Sequence, residues 1–194
     1  MAPNDPLPET VTPGGKDEDA ALAVRASQGD PTAFGTLYDR HVSAVYRYVY
    51  YRVRDDAEAE DLTSDVFMKA LRAIPRYEPR QAFLAWLYRI ARNAVIDHVR
   101  RGGRQVYRAL GCASCHEGSL FNLFRPVGPP LDEIGLVGRK RVPGLSAEDY
   151  IRQSITDPGA FVVPGYPDSM PRGLSKDLSP EDLAALVAYL ASLN

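Results

Sequence analysis

The five residues Cys112-Ala113-Ser114-Cys115-His116 hold both cysteines of the 194-residue chain and one of its three histidines. Two thiols three residues apart with an adjoining imidazole suit three chemistries. A tetrahedral zinc site needs four ligands, but the chain has no other cysteine and its second half no other histidine. His116 also follows Cys115 too closely to complete an easy tetrahedron. A reactive dithiol wants a βαβ setting, and no such pattern flanks the motif. C-x-x-C-H is also the attachment signature of c-type haem. There the thiols add to the two vinyl groups, and His116 stands where its imidazole binds the iron from one side.

The elements that would position these residues are helical. Residues 1–16 read as a flexible Pro/Gly-rich arm, and Asp17–Ser27 as a short helix with acids in its first turn. From Pro31 to Arg54 the residues Phe34, Leu37, Tyr38, His41, Val45 and Val49 recur at steps of three and four, as they do on a helix. Ala59, Leu62, Val66, Ala70 and Ile74 repeat the pattern until Pro75 stops it. Arg76–Gln81 is a loop. Phe83, Leu87, Ile90, Ala91, Ala94 and His98 mark a third long helix, which Arg100-Arg101-Gly102-Gly103-Arg104 is expected to end at a glycine joint. A short helix over Arg104–Leu110 leads into the cysteines. Residues 117–144 are Gly- and Pro-rich and expected to be mostly irregular, Asp149–Ile155 helical, and Asp157–Leu178 interrupted by Pro158, Pro164, Pro167 and Pro171. Ser179-Pro180-Glu181-Asp182 starts a last helix, with serine as its cap and proline in its first turn. Leu183, Leu186, Val187, Leu190 and Leu193 line its buried side. The fold class is all-α.

Composition narrows the function classes. A net charge of −2 with 25% charged residues rules out a global field for nucleic acid or membrane, so any such surface is local. The opening residues carry Pro3, Pro6, Pro8 and Pro13 and no apolar run. They read as neither a secretory signal nor a membrane span, and the expected location is the cytoplasm. No hydrolytic or transferase constellation stands out: there is no nucleophile–base pairing and no phosphate-binding glycine loop.

Residues 17–101 resemble region two of the extracytoplasmic-function sigma factors of bacterial RNA polymerase. The resemblance is carried by Ala33-Phe34…Leu37-Tyr38…His41, by Ala59-Glu60-Asp61-Leu62-Thr63-Ser64-Asp65-Val66-Phe67, and by Phe83-Leu84-Ala85-Trp86-Leu87-Tyr88-Arg89-Ile90-Ala91-Arg92-Asn93…Asp97…Arg100-Arg101. It implies that Asp61, Asp65 and Phe67 dock on core polymerase. It also implies that Arg76, Tyr77, Arg80, Arg89, Arg92, Asn93, Arg100 and Arg101 hold the melted minus-ten promoter strand. Single-stranded DNA binding calls for cations at phosphates and faces for bases, which these residue types supply. Residue by residue, Phe83 and Trp86 read as core and His41 and His98 as packed side chains. Where the family's region-four helix-turn-helix would follow, this chain has the cysteine segment.

Residues 102–194 resemble a class I c-type cytochrome. Gly103…Tyr107…Gly111-Cys112 matches that family's first helix. Gly128-Pro129-Pro130-Leu131 matches the turn whose carbonyl, here that of Pro129, accepts the Nδ1 proton of the haem-ligating histidine. Ile134-Gly135-Leu136-Val137-Gly138-Arg139 matches the stretch whose arginine, here Arg139, holds a haem propionate. Val162-Val163-Pro164-Gly165-Tyr166…Met170-Pro171 matches the loop that delivers the distal methionine, and Tyr189-Leu190 sits where the last helix crosses the first. The resemblance implies covalent haem c at Cys112 and Cys115 with His116 and Met170 as axial ligands. It further implies one-electron transfer to redox partner proteins, since His/Met ligation raises the potential.

The expected protein is therefore a haem c-binding electron-transfer domain joined to a sigma region-two module, not an enzyme. In its regulatory form it is a haem- or redox-linked transcription initiation factor. The alternatives are an electron-transfer cytochrome with a non-functional sigma remnant, and an artefactual fusion of two genes. The two resemblances pull apart on location: sigma factors work in the cytoplasm, whereas haem is attached to C-x-x-C-H after export.

Overall fold

The computed structural model describes residues 15–79, 82–117 and 127–194. The arm expected over residues 1–16 lies outside them up to residue 14, as do Arg80, Gln81 and part of the stretch expected to be irregular. Among the described residues there are helices and turns but no strand. The chain divides into two compact units between Val95 and Ile96.

In the first unit, α1 (Gly15–Ser27), α2 (Pro31–Val53) and α3 (Asp56–Ala73) are followed by a 3-10 turn, Ile74–Arg76, and by the start of α4 (Phe83–Ala109). The Asp30 carboxylate accepts from the backbone N–H groups of Thr32 and Ala33 at 3.0 and 3.1 Å, and Pro31 occupies the first turn of α2. Arg54 stops α2 in the left-handed conformation at φ 60°, and Asp55 caps α3 through the Glu58 N–H at 2.9 Å. The apolar stripes turn inward: Leu37, Val45, Val49, Val66, Phe83 and Leu87 are fully buried. Phe83 and Trp86 are core residues, in an aromatic cluster with Tyr77. His41 is buried with its Nε2 2.8 Å from the Asp19 carboxylate, and Arg40 donates to that same carboxylate at 3.1 Å, tying α1 to α2.

The second unit holds the rest of α4, then α5 (Ala113–His116), α6 (Ile134–Arg141), α7 (Ala147–Thr156), a 3-10 turn at Pro158–Ala160 and α8 (Pro180–Ala191). Ser146 and Ser179 cap α7 and α8 through the N–H groups of Asp149 and Asp182 at 3.1 and 3.0 Å. Tyr107, Ile134, Tyr150, Ile151, Ile155, Leu186, Val187 and Leu190 form its core.

Two expectations need correction. The helix starting at Phe83 does not end at Gly102-Gly103 but runs on to Ala109. Gly103 lies where this helix meets α8: a Cβ there would overlap the Ala185 carbonyl and come within 2.7 Å of Tyr189 Cβ. The glycine serves a close helix crossing, and that packing offsets its cost of about 0.5–1 kcal/mol in a helix interior. The stretch 117–144 contains α6, which its two glycines disguised. Gly135 packs under Ala191, and a Cβ on Gly138 would lie 3.2 Å from the Tyr150 ring, so tertiary packing overrode weak local propensity.

Candidate cofactor site and nucleic-acid face

Gly111, at φ +67°, ends α4 in a conformation that favours glycine, and the chain re-enters a helical turn at once. The N–H groups of Cys115 and His116 both donate to the Cys112 carbonyl, at 3.3 and 3.1 Å. That turn sets Cys112, Cys115 and His116 on one face, and all three line a mostly apolar cavity. Both cysteines are free thiols. Burial pushes the Cys112 thiol up from its ordinary pKa.

His116 has a defined tautomer. Its Nδ1 lies 2.8 Å from the Pro129 carbonyl oxygen. A carbonyl only accepts, so Nδ1 carries a proton, and in the neutral ring Nε2 is the nitrogen with a lone pair for a metal. Gly128 permits this, because a Cβ there would stand 2.7 Å from the imidazole. The Gly128 N–H closes the turn onto the Cys115 carbonyl at 2.8 Å. Behind the motif the Tyr107 hydroxyl donates to Glu117 at 3.0 Å, and the Tyr107 ring meets Tyr189 edge-on at 5.6 Å. Burial, followed by that hydrogen bond, holds the phenol well above its usual pKa.

The other walls come from Leu131, Ile134, Ile151, Ile155, Leu186 and Leu190, and Met170 lies on the lining with Tyr166 and Pro171. The structure brings Cys112, Cys115, His116, Pro129 and Met170 around one cavity and leaves Arg139 out. Arg139 is exposed on α6, and the arginine on the lining is Arg141, half-buried and donating to the Tyr150 hydroxyl at 3.0 Å. The matched motif pointed to Arg139; which turn of α6 faces the cavity was set by packing on α7. The residues present fit a haem: two thiols and an imidazole at one wall, a thioether at another, apolar sides and, among the described residues of the lining, Arg141 as a cation. No group of three or more His, Cys, Asp or Glu side chains placed to hold a metal ion occurs among the described residues.

In the first unit Arg76, Arg89, Arg92 and Asn93 are exposed, as are Arg100 and Arg101 further along α4. Tyr77 does not join them. It is 7% exposed and packed edge-on against Phe83 and Trp86, so its ring offers no stacking face. Arg80 lies outside the described residues. Asp61 is exposed on α3, Asp65 pairs with Lys69 at 2.8 Å, and Phe67 is buried edge-on against Tyr38. The exposed large apolar side chains of the described residues here are instead Tyr38, Tyr51, Met68 and Leu71, all more than 40% exposed. Met68 and Leu71 stand off the buried stripe of α3, a signal that their place in the sequence already carries.

Comparison with known proteins divides the chain in the same way. Residues 37–105 match the family described as sigma-70 region 2, and residues 98–190 the family described as cytochrome c oxidase, cbb3-type, subunit III. The two matches overlap within α4. The chain is 51% identical over 90 residues to the ECF RNA polymerase sigma factor BldN of Streptomyces coelicolor, covering 43% of this chain and 34% of that protein. It is 36% identical over 91 residues to the ECF sigma factor SigC of Mycobacterium tuberculosis, covering 47% and 49%. With the ECF sigma factor SigW of Bacillus subtilis it shares 32% identity over 77 residues, covering 40% and 41%. The chain thus spans about a third to a half of the length of these relatives.

Proposed function

We propose that this chain, a sigma-70 region 2 match continued into a cytochrome c match, is a haem c-binding one-electron carrier joined to a polymerase- and promoter-binding module. The observation that carries the cofactor reading is the His116 Nδ1–Pro129 contact of 2.8 Å, which leaves Nε2 free for iron. Cys112 and Cys115 anchor the group covalently from the same helical turn. Met170 would hold the group through its thioether from another wall, and Arg141, in place of Arg139, would offer it a cation. When bound, haem supplies a reversible one-electron couple without proton or atom transfer. Held by both His116 and Met170, the group would exchange electrons with redox partners and would not bind a substrate. The apolar walls keep water from the group and Pro129 holds the imidazole's orientation.

The test is to express the full chain with and without an added export signal and look for haem that survives denaturation. Haem bound covalently only to the exported chain supports the reading and places its maturation outside the cytoplasm. An exported chain that acquires none overturns it.

The 51% identity to a sigma factor supports the second activity. Exposed Arg76, Arg89, Arg92, Asn93, Arg100 and Arg101 would hold promoter phosphates and bases, and the α3 surface with Asp61, Asp65, Met68 and Leu71 would dock on core polymerase. Haem-linked control of initiation follows if polymerase binding differs between haem-loaded and haem-free protein. A pull-down with core polymerase that retains nothing in either state removes this part of the proposal.

A further inference from the structure

The distal segment is held in an unusual way. From Phe161 to Arg172 the backbone bonds of the described residues are local: the Tyr166 N–H donates to Val163 at 3.1 Å and the Ser169 N–H to Pro167 at 3.0 Å. Arg172 ties the loop to itself and also reaches beyond it. Its Nη2 donates to Asp168 at 2.7 Å, so the ion pair spans Met170 from two residues before to two residues after. The guanidinium also lies against Gly159 in the 3-10 turn that follows α7. A Cβ on Gly159 would stand 2.9, 3.1 and 3.2 Å from Nη2, Nη1 and Cζ. Both Nη atoms lie nearer than Cζ, so it is the two-nitrogen end of the fork that meets the glycine. The neighbours of Gly159, Pro158 and Phe161, line the cofactor cavity with Asp168 and Met170.

We propose that Arg172 is the positioning residue of Met170, a strap that holds the methionine loop to the turn after α7 and keeps the thioether at the cavity. The proposal rests on the haem reading above and deepens it. Arg172 is 68% exposed, so the pair adds little to global stability. Its effect is local, on how often Met170 leaves the position. A point charge on a flexible stem does not replace the two-nitrogen fork, so Arg172→Lys restores charge but not the contact at Gly159.

Two readouts on the full chain test this. In haem-loaded protein, Arg172→Ala is expected to raise the affinity of added imidazole for the iron by roughly two- to fivefold, the free energy of an exposed pair expressed as an equilibrium ratio. Gly159→Ala leaves the arginine in place but puts a methyl under it, and is expected to do the same; Arg172→Lys recovers only part. The second readout does not need haem: amide exchange over residues 162–172 is expected to quicken in Arg172→Ala and Gly159→Ala while α7 and α8 stay unchanged. A chain without haem fails the functional reading, and the exchange arm still judges the strap. Imidazole affinity or loop exchange at wild-type values in both variants overturns the strap, as does exchange that quickens equally throughout the unit.

Discussion

The two units use apolar side chains in opposite ways. The first packs long helices by continuous stripes until Leu37, Val45, Val49 and Val66 are fully enclosed and its aromatic rings meet one another. The second has short helices, prolines and glycines, and turns Ile134, Ile151, Ile155, Leu186 and Leu190 toward a cavity as well as toward each other. A cavity with apolar walls forfeits the dispersion contacts that a filled interior makes. The first unit spends its apolar surface on itself; the second turns part of it toward a cavity.

This contrast can be broken at several points. The largest expected effect is that of Cys112→Ser with Cys115→Ser. Covalent haem is lost entirely, as read by haem staining after denaturation, and amide exchange quickens in the second unit but not in the first. Leu37→Ala does the converse. It opens a cavity in the enclosed core at a cost of about 2–5 kcal/mol, seen in urea denaturation as loss of the first unit with the haem spectrum retained.

The neighbouring glycines sharpen the comparison. Gly103→Ala is expected to destabilise the second unit by about 1–3 kcal/mol, because its methyl meets α8 backbone. At Gly102 the nearest atom to an added Cβ is 3.9 Å away, so Gly102→Ala stabilises by about 0.5–1 kcal/mol through helix propensity. Thermal melts with opposite signs would confirm a packing glycine beside a tolerant one; equal signs would refute it.

The smallest effect is a matter of pH. The Tyr107 phenol ionises less readily folded than unfolded. Its contribution is fully present below the unfolded value of about 10 and is lost as pH rises from there through the higher folded value. An alkaline titration followed by the haem spectrum should show the second unit loosening above pH of about 10, and Tyr107→Phe should flatten that part of the curve.

Much of this was legible in the residues. Ser179 announces its helix start because a short oxygen-bearing side chain satisfies N–H groups one turn ahead, and the stripe through Leu37 and Val49 shows its buried face by period alone. Legibility failed where packing outweighed local preference. Gly102-Gly103 looked like a break, although a glycine is also what a close crossing requires. The glycines of α6 hid a helix for the same reason. Tyr77 read as a base platform because an aromatic in a basic loop has the right chemistry, and only the third dimension shows its ring turned inward.

For the candidate cofactor site, sequence by itself determined the chemistry that depends on chain proximity: Cys112, Cys115 and His116 share one helical turn wherever that turn lies. Tertiary structure alone decided the rest. It set the Pro129 carbonyl on Nδ1, turned Arg141 and not Arg139 toward the cavity, and hung Met170 on a loop strapped at Gly159. The physical reason is distance along the chain. Within one turn backbone geometry dictates which side chains meet, whereas over tens of residues they meet only where packing of whole helices brings them together.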